Sequence, residues 1–143
     1  MDLTKNLQAW RSAGIRLMPG VGVDSARAAF RALNYEPSQD VLGLYAQIGG
    51  MQSPDQHDWR LWPLDEVLAE NANSSDRGVY FSDYLVGCCC FLLSKGSAAD
   101  TIMVDYMDGS EPQRVASSLE EFLSAQMTAP QVVLDPRSLK VTS

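Results

Sequence analysis

Leu3, Leu7 and Trp10 recur at helical spacing with polar residues between them, and they predict an amphipathic helix over the first dozen residues, ended by Gly14. Pro19-Gly20 and Gly22 predict a turn. Asp24 reads as the N-cap of a second helix whose apolar stripe is Ala26, Ala29, Phe30 and Leu33. Asn34-Tyr35-Glu36-Pro37 breaks that helix. Pro37 or Ser38 opens a third, with Val41, Leu42, Leu44, Tyr45 and Ile48 on a wide apolar face. Gly49-Gly50 is expected to stop it, because glycine reaches the left-handed conformation used at helix exits. The stretch from Gln52 to Asp58 is polar and loop-like.

From Trp59 the period changes. Trp59 and Leu61 alternate as a half-buried strand does, and Pro63, which has no N–H for a ladder, must end that strand or sit on an edge. Leu64 to Asn71 reads as a short helix, with Asp65 and Glu66 favourably placed near its positive end. A turn-rich connection over Asn71 to Gly78 leads to three strand candidates: Val79 to Phe81, Cys88 to Leu93, and Thr101 to Tyr106. Gly87, Lys95-Gly96 and Asp108-Gly109 separate them, and such short gaps favour antiparallel pairing over parallel crossovers. Ser117 or Ser118, each with a glutamate three residues on, caps a last helix built on Leu119, Phe122 and Leu123. Together these elements predict an α+β fold, with helices packed on a small, mostly antiparallel sheet. One domain over residues 1–127 accommodates them. Residues 128–143 form a C-terminal tail whose short apolar run, Val132 to Leu134, reads as an edge strand or a strap across the body.

Composition adds a bias of charge. The 143 residues carry a net charge of −7, and 45% of them are hydrophobic, which suits a folded domain with one sizeable core. Between Asp55 and Glu121 thirteen acidic residues face four basic ones, a local charge of −9, while the remainder is +2. Such a surface repels phosphate backbones and attracts basic proteins, so direct binding of nucleic acid is not expected. No apolar run is long enough for a membrane span, and the N-terminus lacks the compact apolar block of a secretory signal. The expected location is therefore cytoplasmic. Three consecutive cysteines are no disulfide framework, which agrees with that location.

The candidate chemistry is sparse. In a strand Cys88 and Cys90 share one face and Cys89 takes the other, a spacing unlike paired zinc ligands, so the run reads as packing residues. His57 lies in a loop, and Ser82-Asp83 lacks the glycine elbow of a nucleophile, so no catalytic set is expected. Asp105, Asp108 and Glu111 surround a turn ending in Gly109, where aspartate serves local hydrogen bonding, and their spacing is not that of a calcium loop. Gly20-Val21-Gly22 is no phosphate cradle. Neither a metal nor a cofactor is implied. Trp59 and Trp62, without a basic field, read as core or interface anchors rather than base-stacking platforms.

One sequence of motifs remains. Phe30 and Leu33, then Val41 to Gly50, then Trp62-Pro63-Leu64-Asp65-Glu66-Val67, Phe81-Ser82-Asp83, and Ala116 to Leu123 follow one another in an order that resembles the SUKH superfamily. This group of partner-binding domains includes cell-wall regulators and many bacterial toxin-immunity proteins. The resemblance runs from about Gly22 to about Leu123, and Trp62 to Glu66 is its most specific part. The chain departs from similar proteins at Phe30, where they often carry glutamate, at Gly49-Gly50, where they often carry Asn-Gly, and at Glu36-Pro37, where they often carry Leu-Pro. The resemblance implies a SUKH-like α+β domain that catalyses nothing and binds protein: first an immunity protein neutralising a basic, nuclease-like toxin, next a regulatory or scaffold module of the same fold. A small hydrolase using His57, Ser82 or the cysteines ranks third. The expected partner contacts are Asp83, Tyr84, Asp105, Asp108 and Glu111, near strand ends and turns, with Trp62 and Phe81 in the core. Oligomeric state is left open.

Overall fold

In the computed structural model, which describes residues 1–73, 77–96 and 100–128, the two indole rings of Trp10 and Trp59 stack at the centre with centroids 6.0 Å apart. The fold is α+β, its helices packed on small antiparallel sheets. A five-stranded sheet is an uninterrupted meander of β3 (Trp59–Leu61), β4 (Gly78–Tyr84), β5 (Cys89–Ser94), β6 (Ile102–Asp105) and β7 (Gln113–Ala116). Its inner face follows from strand alternation: Trp59 and Leu61, then Phe91 opposite Val104 and Leu93 opposite Ile102, are all buried. The final helix, α5 (Leu119–Thr128), lays Phe122 on this face, within 6.0 Å of the Trp59, Phe81 and Phe91 ring centroids. Ser118 caps it by accepting the Glu121 N–H at 3.1 Å, as one of the two expected serines.

The N-terminal helices complete the core. α1 (Thr4–Ser12) buries Leu3 and Trp10 as predicted, but the third residue of its buried stripe is Asn6 and not Leu7. The buried amide is satisfied, because Asn6 Nδ2 donates to the Leu123 carbonyl at 3.2 Å and ties α1 to α5. α2 (Val23–Ala32) starts two residues earlier than the sequence indicates. Its cap is Gly22, whereas Asp24 lies exposed within the first turn and pairs with Arg27 at 3.2 Å. α3 (Gln39–Gln47) is capped by Ser38, which accepts the Val41 N–H at 3.1 Å. Tyr35 and Ser38 both donate to the buried Asp100 carboxylate, fixing the approach to β6 onto the α2–α3 corner.

Gly49-Gly50 does not end α3 as a left-handed cap. The chain passes directly from α3 into β2 (Ile48–Met51), which pairs with β1 (Leu17–Pro19) as a second, two-stranded sheet. A Cβ on Gly49 would lie 2.2 Å from the Pro19 carbonyl oxygen, and one on Gly20 only 1.9 Å from that of Ala46. The glycines therefore serve close backbone approach, and the Pro19-Gly20 pair read as a turn is the end of a strand and its exit. β7 had no counterpart in the sequence pattern, since of its four residues only Ala116 is buried.

On the sheet edge, α4 (Leu64–Glu70) follows Pro63 as expected. Asn71 then replaces a missing strand partner: its side-chain amide takes the Tyr80 N–H at 3.0 Å and gives one to the Tyr80 carbonyl at 2.9 Å. Thus β4, longer than predicted, is satisfied where β3 has stopped. The predicted run Val132 to Leu134, with the rest of the tail beyond Thr128, lies outside the described residues.

Candidate interaction site at the turn end of the sheet

Three loops meet at one end of the meander: residues 55–58 entering β3, the β4–β5 turn at 85–88, and the β6–β7 connection at 106–112. Asp55 organises the first. It accepts the Trp10 indole N–H at 2.8 Å and the backbone N–H groups of His57 and Trp59 at 2.8 and 3.1 Å. The Leu85 N–H donates to the Asp58 carbonyl at 3.0 Å and fastens the β4–β5 turn to this loop. Pairing of Cys90 with Asp105 brings the β6–β7 connection alongside.

Register aligns Arg60, Asp83, Cys90 and Asp105 in one row across β3 to β6, on the face opposite Phe91. Asp83 and Asp105 were expected as exposed contacts; they are only 5% and 9% exposed. Asp83 accepts the Trp62 indole N–H at 2.9 Å and lies 3.7 Å from Arg60, which also pairs with Glu66. Burial raises its pKa, opposed by Trp62 and Arg60. Asp105 takes the Tyr80 hydroxyl at 2.5 Å and the Met107 N–H at 2.8 Å, so it holds the start of the β6–β7 connection. Burial also pushes the Tyr80 hydroxyl above its ordinary value, with Asp105 adding to the shift. Asp105 thus supports a turn from beneath, whereas Asp83 binds Trp62 and Arg60 at the β3 edge.

The other three expected contacts are more open. Tyr84 is half-buried at the end of β4, across from Trp59 and Cys89. Asp108 binds the N–H and hydroxyl of Ser110 at 3.0 and 2.5 Å, the local turn chemistry its position predicts. Glu111 lies on the surface, 3.4 Å from Arg77. Trp62 and Phe81 are core residues, as expected.

The sequence reading passed over the apolar residues between these groups. Leu85, Val86 and Met107 are 47%, 85% and 57% exposed, respectively. Leu85 and Val86 have φ of +48° and +53°, followed by Gly87 at +90°, and Met107 has φ of +58°. A left-handed backbone costs about 1–2 kcal/mol for a residue with a Cβ, and β-branched valine adopts it least readily. The available signal was two apolar residues ahead of Gly87 inside a gap between strands. Periodicity treats such a gap as punctuation.

No protein-family model matches this chain, and no curated protein matches it.

The remaining candidate chemistry is dispersed. Ser82 is fully buried, opposite Leu61 and Phe91, with its hydroxyl sealed from solvent. His57 borders a groove of about 570 Å³ between α1 and α5, lined with Leu3, Asn6, Leu123 and Met127. Cys88 is exposed in the turn before the strand, Cys89 is half-buried and Cys90 is buried. Burial is the main cause that pushes the Cys89 and Cys90 thiols up to about 11 and about 12. Fields from Asp108 and Asp105 add to the Cys89 shift, consistent with the closeness of the turns. Such thiols stay protonated at neutral pH and behave as packing groups. Among the described residues, no cluster of three or more His, Cys, Asp or Glu is placed to hold a metal ion, and no helix is long and apolar enough to cross a membrane.

Proposed function

We propose that this chain is a non-catalytic protein-binding domain of the SUKH type, acting in the cytoplasm as an immunity protein that neutralises a basic toxin by direct binding. The observation that carries this reading is the turn end of the sheet, where exposed Leu85, Val86 and Met107 share that end with the exposed Asp58 and Asp108. Apolar side chains in a polar, charged surround are the usual make-up of a protein interface. Charge supports the choice of partner. A nuclease must be basic to hold its substrate, and a domain of net charge −7 is steered towards such a surface. The long-range field raises the association rate, whereas desolvated apolar anchors set how long the complex lasts.

The test is capture from the native source with tagged protein at low and at moderate salt, followed by co-expression of the captured protein with and without this chain. One dominant basic protein, retained through moderate salt and toxic unless co-expressed, is the expected result. Several salt-labile partners without toxicity would instead indicate a regulatory module of the same fold.

A further inference from the structure

The β4–β5 turn is built against both rules that normally choose turn residues. Left-handed positions in a hairpin connection select glycine, asparagine or aspartate, because those residues adopt φ > 0 at low cost. Here Leu85 and Val86 occupy two of the three consecutive left-handed positions. Burial supplies no compensation for Val86, which is 85% exposed. Nor is the turn loose. Its Cys88 N–H donates to the Tyr84 carbonyl at 3.0 Å, and its Leu85 N–H donates to Asp58. The fold thus holds two apolar side chains in solvent at a conformational cost, which directs attention from stability to binding.

We propose that this turn is a preformed apolar plug, with Leu85 and Val86 entering an apolar pocket on a basic protein while Met107 packs beside them. This deepens, and rests on, the protein-binding reading above. Charge chooses the occupant. In the segments 55–58, 85–88 and 105–112 there is no lysine or arginine; Asp55 and Asp105 are buried and Glu111 pairs with Arg77, but Asp58 and Asp108 are exposed, so a pocket with a basic rim fits them. A second copy of this chain would bring the same acidic rim against itself. Because the turn is already fixed, docking costs little further ordering, and the strain is borne before the partner arrives.

The probe is a random dodecapeptide phage library, selected against the immobilised full chain and counter-screened against Val86→Asp. Enriched peptides are expected to combine Arg or Lys with Leu, Phe, Trp or Met, and to bind Val86→Asp about ten-fold more weakly or worse. Val86→Gly serves as the control for folding: it is expected to melt about 3 °C higher than the wild type while also losing peptide affinity. Absence of enrichment, enrichment of acidic peptides, or peptides indifferent to both substitutions overturns the plug. So does concentration-dependent self-association of the wild type that Val86→Asp abolishes, which would assign the turn to a second copy. The two readings fail separately. A toxin captured and neutralised equally well by Val86→Asp removes the plug alone, whereas selected peptides without any captured partner remove the immunity role alone.

Discussion

The β1–β2 corner and the β4–β5 turn both restrict which residues the backbone accepts, and they use side chains in opposite ways. At the corner, glycine stands where nothing larger fits: a Cβ on Gly20 or Gly49 would lie 1.9 or 2.2 Å from a backbone oxygen. At the turn, leucine and valine occupy left-handed positions that glycine would fill more comfortably. Packing determines the first choice. The second has no folding explanation in the described residues, since Val86 is almost wholly in solvent. Under the proposed binding role, a residue that costs stability and contributes nothing to the core is one retained for its partner.

Substitutions at the two sites separate these cases, beginning with the largest effect. Gly20→Ala should destabilise by about 3 kcal/mol or more, because the atom it meets is backbone and β1 must move away from α3. Urea unfolding would show this as a lowered midpoint; a change of less than about 1 kcal/mol would mean that the corner yields easily and that the comparison is mistaken. Val86→Gly should do the reverse and stabilise by about 1 kcal/mol, since relief of the left-handed valine outweighs the added freedom of the unfolded chain. Thermal melts measure it.

The smallest effect concerns the row beneath the turn. Burial raises the Asp83 pKa, so the folded protein binds this proton more tightly than the unfolded chain does. The ionised carboxylate therefore disfavours the fold above its raised pKa, and the penalty fades as the pH falls through that value. Asp83→Asn, which keeps an acceptor for the Trp62 indole, should gain slightly on the wild type at neutral pH and lose that gain in mild acid. Stability curves across this pH range would show the gain; a loss at neutral pH would make the Arg60 attraction dominant instead.

Where burial leaves a periodic trace, the sequence was a good guide. Four of the five helices, with α5 capped by a predicted serine, and the alternating strands β3 to β6 follow from stripes such as Val41-Leu42-Tyr45 and pairs such as Trp59 and Leu61. α2 was likewise anticipated, apart from its Gly22 cap. The failures have physical causes. Gly49-Gly50 resembles a helix exit because glycine suits both left-handed caps and close strand approach, and only the neighbouring Pro19 carbonyl distinguishes them. β7 lies at the sheet edge and buries one residue, too few for a pattern. Asp83 and Asp105 looked like surface carboxylates until register placed them in a row covered by Trp62 and Tyr80 interactions. Leu85 and Val86 escaped notice for a related reason: their exposure and backbone conformation are set by the turn, and neither property is written in residue spacing.

The most direct measurement runs the wild type and Val86→Gly side by side through thermal melting and through capture from the native source at moderate salt. A variant that melts higher yet retains much less of the captured basic protein is the predicted result. It would show that Val86 is kept for binding at the expense of the fold. A variant that melts higher and captures the same protein undiminished would contradict the claim, and would leave the strained turn without a part in recognition.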